Sequence, residues 1–229
     1  MSEQITCISS MATRQVLAEL VEGCERVSGR RVAVESVGGV AAAQRVQQGE
    51  SFDIVVLAAD AIERLAAAGR IEPASRVDLA RSGVAIAVAA GAPRPDVGTE
   101  AALRETILAA RSIGYSTGPS GSHLSRLFER WGIAETIAPR VVQAPPGVPV
   151  GTLVARGEVE LGFQQLSELM HLPGIDVIGS LPNEVQIVTV FAAAICTASR
   201  QRDAAKAVLS FLASSEARFA KLRHGMEPA

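Results

Sequence analysis

The chain has 229 residues, 48% hydrophobic and 20% charged, enough to bury a sizeable core in one domain or two small lobes. A net charge of −2 with interleaved signs gives no basic face, and one Trp, one Tyr and six Phe leave few stacking platforms, which argues against a nucleic-acid partner. Cys7, Cys24 and Cys196 are odd in number and lack metal-ligand spacing, so they read as reduced, buried thiols, with neither metal nor cofactor expected.

Met1–Gln4 lacks a basic region, and the apolar run Ile5–Ile8 is too short for a signal-peptide core. The chain as written is therefore expected in the cytoplasm; a leader ahead of it would make it periplasmic. Only around Val185–Ala198 does a stretch approach the roughly 18 uncharged residues of a membrane span. There Gln186 and Thr189 interrupt a β-type alternation, and no membrane insertion is predicted.

In chain order, the apolar run Ile5-Thr6-Cys7-Ile8 predicts a strand that ends in Ser9-Ser10-Met11-Ala12-Thr13. A helix follows, with Val16, Leu17, Leu20, Val21 and Cys24 at helical spacing and Gly29 as its stop. Arg31–Ser36 alternates with a period of two, and Gly38-Gly39 opens a helix to about Gln48, ended by Gly49. Asp53–Leu57 reads as a buried strand, and Asp60 is expected to cap the next helix, which runs to Gly69. This is βαβαβ with short connections, one half of a doubly wound sheet.

Val84–Val88 predicts a strand closed by the turn-rich Gly91–Pro95, with a helix near Glu100–Ala110. A strand at 113–115 then feeds Ser116-Thr117-Gly118-Pro119-Ser120-Gly121-Ser122, and the helix opened there carries Arg126, Glu129 and Arg130 before Gly132. Pro145–Pro149 reads as a rigid loop and Gly151–Arg156 as a short helix. Glu160–Phe163, Gly174–Ile178 and Gln186–Val190 read as strands, and Asp203–Arg223 as a terminal helix. Strands alternating with helices argue for an α/β fold with largely parallel strands.

One pattern occurs twice: a strand delivers small hydroxyl residues and free backbone N–H groups to a helix N-terminus. That is the chemistry of an anion site. Ser9, Ser10, Met11 and Thr13 form the first copy and Ser116, Thr117, Ser120, Gly121 and Ser122 the second, which suggests two lobes closing on one small anion. Ser9, Ser10 and Thr13 also fit as helix caps, whereas the second cluster is richer than one cap requires. Gly38 and Gly39 fit either a tight strand–helix turn or close approach of a ligand to the backbone.

Arg14 lies in a first helical turn, where a cation opposes the macrodipole and wants a compensating anion. Arg81 and Ser82 precede a strand from which they reach a cleft; for both arginines a solvated side chain fits equally well. Gln164 and Gln165 follow a strand end on the side where α/β ligands bind, and only one of the two faces that side. Glu168 is a candidate general base, or else a dipole partner in a first helical turn; Tyr115 and His123 are further catalytic candidates. No phosphate-binding loop, Ser-His-Asp order or metal-spaced His/Cys set is present.

Ser9-Ser10-Met11-Ala12-Thr13, with the segment Gln44–Asp60, resembles the first lobe of type II periplasmic solute-binding proteins, the molybdate-binding branch in particular. The likeness extends to Arg223-His224-Gly225-Met226. It implies a two-lobed α/β fold, each lobe a doubly wound mixed sheet, joined by two strands crossing near Arg81–Val88 and Val185–Ala193, with the ligand in the cleft. Lobe 1 would comprise 1–84 and 189–229, and lobe 2 would comprise 85–188. Two departures point away from molybdate: Gly38-Gly39-Val40 stands where that branch has a second serine cluster, and His123 lies near its expected Tyr.

Gly114-Tyr115-Ser116, Ser120-Gly121 and Glu160–Leu169 resemble bacterial aconitate isomerases, which use the same fold to shift a double bond by moving a proton. The first-lobe loop of those enzymes differs from Ser9–Thr13. The expectation is therefore capture of a small organic anion, a di- or tricarboxylate, by a monomer. The alternatives are isomerisation of an unsaturated polycarboxylate, or oxyanion capture for an ABC permease if the chain is exported.

Overall fold

The computed structural model describes residues 4–145 and 147–229. Met1–Glu3, read above for an export signal, and Pro146 of the Pro145–Pro149 loop lie outside the described residues. The chain forms β1 (Ile5–Ser10), a 3-10 turn (Met11–Thr13), α1 (Arg14–Ser28), β2 (Val32–Val37), α2 (Gly39–Gln47), β3 (Ile54–Ala58), α3 (Ala59–Ala67) and the long β4 (Val77–Ala89). Then come α4 (Glu100–Ala109), β5 (Ile113–Ser116), α5 (Pro119–Arg130), α6 (Ala134–Ile137), β6 (Val141–Ala144), α7 (Val150–Ala155), β7 (Leu161–Gln165) and α8 (Leu166–Leu169). β8 (Ile175–Ser180), β9 (Val188–Ile195), α9 (Arg202–Ala213), α10 (Arg218–Arg223) and β10 (Glu227–Pro228) complete it.

These elements make two compact units, Met1–Arg81 with Val190–Ala229, and Ser82–Thr189. The chain passes from one to the other twice, within β4 and within β9. In the first unit the strand order is β2-β1-β3-β9, with β1 parallel to β2 and β3, and β3 antiparallel to β9. Every residue of β3 is buried, and its side chains alternate between two cores. Ile54 and Val56 meet Leu17 and Leu20 of α1 and Val208 and Leu209 of α9; Val55 and Leu57 meet Val46 of α2 and Ile62 and Leu65 of α3. That two-sided burial is why the strand reads as an unbroken apolar run. Each such side chain contributes about 1.5–3 kcal/mol.

In the second unit β7 is parallel to β5 and antiparallel to β4, β5 is parallel to β6, and β8 joins β4 antiparallel. Leu124 and Phe128 of α5 and Leu103 and Ile107 of α4 cover one face together with Phe163 and Ile86. Val150, Leu153 and Val154 of α7 pack in a second cluster with Ala144.

Three expectations need correction. The sheets are mixed, as the resemblance implied and against the largely parallel reading of the strand–helix alternation, because β4, β8, β9 and β10 all pair antiparallel. Asp60 does not cap α3: β3 runs straight into the helix with Ala58 at the cap, and Asp60 sits inside the first turn, paired with Arg64 at 2.9 Å. The terminal helix is broken, since Ser214 is extended and its Oγ donates to the Phe211 carbonyl at 2.7 Å, competing with the helical ladder. β6 and α6 were not anticipated; each is only four residues long, too short to show a period.

Candidate functional site

In the first unit the C-terminal ends of β1 and β2 bring Ser9 and Ser36 into register, with their hydroxyl oxygens 2.8 Å apart. Ser10 is buried, and its Oγ has no hydrogen-bond partner among the described residues. Thr13 Oγ1 donates to the Ser10 carbonyl at 3.1 Å, and neither Ser10 nor Thr13 makes a side-chain cap. The hydroxyls at this helix start are thus not consumed as caps. Gly38 is the N-cap of α2, and a Cβ on Gly39 would lie 3.5 Å from Ser10 Cβ, so the backbone at the start of α2 lies beside Ser10. Met11 is half-buried, and Arg14 and Arg81 are exposed, Arg81 in register with Glu227 of β10.

In the second unit Tyr115 pairs with Phe163, so Ser116, the last residue of β5, lies beside Gln164, one residue before the end of β7. The α5 N-terminus approaches that end closely: a Cβ on Gly121 would sit 1.7 Å from the Ser116 carbonyl oxygen, a position only glycine can hold. Ser116 Oγ accepts from the Gly118 N–H at 3.4 Å, and exposed Ser122 returns its hydroxyl to the Gly118 carbonyl at 3.4 Å. Ser120 is buried and Thr117 exposed. Tyr115 packs edge-on to Phe128, with centroids 6.1 Å apart, as part of the core. His123 is exposed on a groove of about 280 Å³ that it shares with Arg126, Arg130 and Glu184.

The two adjacent glutamines divide their work. Gln164 uses both ends of its amide: Oε1 accepts from the Val150 N–H at 2.8 Å, holding the start of α7, and Nε2 donates to Glu168 at 2.8 Å. Gln165 donates through Nε2 to Thr189 Oγ1 at 2.7 Å, and its Oε1 is buried with no partner among the described residues. Ser82 and Ser167 each bury an Oγ in the same condition. Burial pushes the Glu168 carboxyl up to about 7, only partly offset by the Gln164 hydrogen bond. Ser36 and Ser167 escaped the reading of the sequence. The signal for Ser36 was strand register rather than a helix start, and for Ser167 the two-residue spacing from Gln165.

Among the described residues no cluster of three His, Cys, Asp or Glu could hold a metal ion, and no helix is long and apolar enough to cross a membrane. A family model described as bacterial extracellular solute-binding protein matches residues 5–227. The chain belongs to this family. Among curated proteins, an aconitate isomerase from Pseudomonas sp is 37% identical over 230 residues, covering 98% of this chain and 87% of that protein. Among solved structures, the periplasmic molybdate-binding protein of Azotobacter vinelandii matches with a TM-score of 0.82 at 18% identity, over 99% of this chain and all (100%) of that one. The sulfate-binding protein SubI from Mycobacterium tuberculosis H37Rv matches with a TM-score of 0.79 at 14% identity, over 100% and 88% of the two chains. The fold of this solute-binding protein is the type II periplasmic-binding fold.

Proposed function

We propose that this solute-binding protein captures a small organic anion, a di- or tricarboxylate. The observation that carries the reading is Ser10 at the end of β1: a buried hydroxyl with no partner, beside the Ser9–Ser36 pair and the glycine start of α2. A buried polar atom left unsatisfied costs about 1–3 kcal/mol, and a ligand oxygen at that spot removes the penalty. The C-terminal ends of parallel strands, next to helix N-termini, are where α/β folds receive anions. Arg14 and Arg81 supply charge for a second or third carboxylate, since a helix N-terminus offers only about half a positive charge.

The test is a thermal-shift panel of citrate, trans-aconitate, molybdate and sulfate. A ligand at 100 times its dissociation constant should stabilise the parent by about 2.7 kcal/mol. Ser10→Ala should leave the ligand-free protein as stable as the parent or slightly more so and abolish most of that stabilisation. Unchanged affinity in the variant would remove Ser10 from the site.

A second reading is favoured by the 37% identity to an aconitate isomerase over nearly the whole chain. A base would take a proton from the methylene beside a carboxylate, the electron pair would move the double bond, and the proton would return at the far carbon, with no net oxidation. Glu168, Tyr115 and His123 are the candidate proton carriers. Trans-aconitate absorbance followed with time decides it: a rate no higher than that of buffer rejects catalysis and leaves binding standing. In a transport role the partner would be an ABC permease, reached only by exported protein.

A further inference from the structure

The groove of about 280 Å³ beside α5 lies within the second unit, and the arginines and Glu184 in its walls serve neither reading above. One wall is α5, where His123, Arg126 and Arg130 fall at i, i+3 and i+7 and so share a face. The other is the segment after β8, which contributes Glu184 from a 3-10 turn (Asn183–Val185). The lining also has an apolar part: Leu127 and Val185 are buried in one core cluster, and Ile187 packs against it. The opposite charges of the two walls do not meet. Arg126 and Glu184 make neither an ion pair nor a hydrogen bond among the described residues, and Arg130 reaches Glu100, which does not line the groove, at 4.0 Å. The Glu184 wall is fastened by Gln186, whose Oε1 accepts from the Val84 N–H at 2.9 Å and whose Nε2 donates to the Val84 and Leu181 carbonyls, each at 3.3 Å.

We infer that this groove is a binding site additional to the small-anion site, for a small zwitterion of the amino-acid class. The carboxylate of such a ligand meets Arg126 and Arg130, its ammonium meets Glu184, and its aliphatic part covers Leu127, Val185 and Ile187. A single sign of charge does not fit, because Glu184 repels a simple anion and the arginines repel a simple cation. The volume is at the low end of small-molecule pockets, which span roughly 300–1,000 Å³, and so suits an amino acid rather than a nucleotide or a long peptide. With the backbone of both walls fixed by core packing and by Gln186, little of the binding energy is lost to ordering the site.

The experiment is calorimetric titration of the full chain with L-leucine, isocaproate, isoamylamine and inorganic phosphate, repeated on Arg126→Gln, Glu184→Gln and Ser10→Ala. Isocaproate is leucine without its ammonium, and isoamylamine is leucine without its carboxylate. The parent should bind leucine, and each one-charge analogue at least about tenfold more weakly. Arg126→Gln and Glu184→Gln should each lose about tenfold in leucine affinity, while Ser10→Ala binds leucine as the parent does. Glu184→Gln should also narrow the gap between leucine and isocaproate. Both groove variants replace exposed side chains without partners, so an unchanged melting temperature ties their loss of affinity to the groove. A parent that gives no heat with leucine overturns the site. Phosphate binding tighter than leucine overturns the zwitterion class. Leucine affinity lost in Ser10→Ala and kept in both groove variants overturns the location. None of these results bears on citrate or trans-aconitate, so this inference and the small-anion reading fail separately.

Discussion

Gly121 and Glu168 mark opposite kinds of constraint. At Gly121 the constraint is space: the Ser116 carbonyl would lie 1.7 Å from any Cβ, so Gly121→Ala must push the start of α5 away from β5. It should lower stability by about 3 kcal/mol, at the upper end of overpacking penalties, as measured by urea titration. At Glu168 the constraint is charge. Its carboxyl is raised from 4.5 to about 7, so between those values the folded chain holds a proton that the unfolded chain has released. Stability from this group is complete below pH ~4.5 and is lost as pH climbs through about 7, a fall on the order of 3 kcal/mol. Glu168→Gln keeps an acceptor for Gln164 and should flatten that fall in urea titrations at pH 5 and pH 8; an identical slope in parent and variant would assign it to other groups. A charge test completes the scale: Arg14→Gln or Arg81→Gln should weaken a tricarboxylate by about 1.5–3 kcal/mol, and a monovalent anion much less.

At the level of elements, α7 depends on a side chain from a different strand. It has six residues, too few to sustain itself, and Gln164 holds its first N–H. Gln164→Leu would orphan the Val150 N–H and remove the donor to Glu168, lowering stability by about 1–3 kcal/mol in urea titrations. The same contact shows what the sequence reveals and conceals. Helices with sustained apolar spacing and glycine ends were legible: α1 buries Val16, Leu17, Leu20 and Cys24, and Gly29 adopts the positive φ of 66° that stops it. β3 was legible because burial on both faces leaves it wholly apolar. What pairs with what was not legible. The antiparallel β9 and β4, and the bond from Gln164 to α7, depend on contacts distant in the chain that no local period encodes. The clusters at Ser9–Thr13 and Ser116–Ser122 stood out because hydroxyls at strand ends are locally conspicuous, whereas the Ser9–Ser36 pair shows only once β1 is laid against β2.

The whole molecule carries one unit inside the chain of the other. Val190–Ala229 returns β9, α9 and α10 to the first unit, where Phe191, Ala193, Ile195, Val208, Leu209 and Leu212 complete the core begun by Ile5–Val56. A chain truncated after Thr189 should therefore lose amide protection throughout β1–β3 in hydrogen exchange, while β5 and β7, whose neighbours are contiguous in sequence, stay protected. Equal protection of both units in the truncated chain would show that the returning segment is dispensable.

The same interleaving sets an order of events on the ribosome. β3 emerges early, and the strand that covers its second edge, β9, is made only after the whole of Ser82–Thr189. At about 5–20 residues per second that interval is roughly 5–20 s. Throughout it the nascent chain offers an open, fully apolar edge, a template for wrong pairing and a natural client for a holding chaperone. A ribosome stalled just before Val190 should present an N-terminal segment that protease cuts readily, and resumed synthesis should close it.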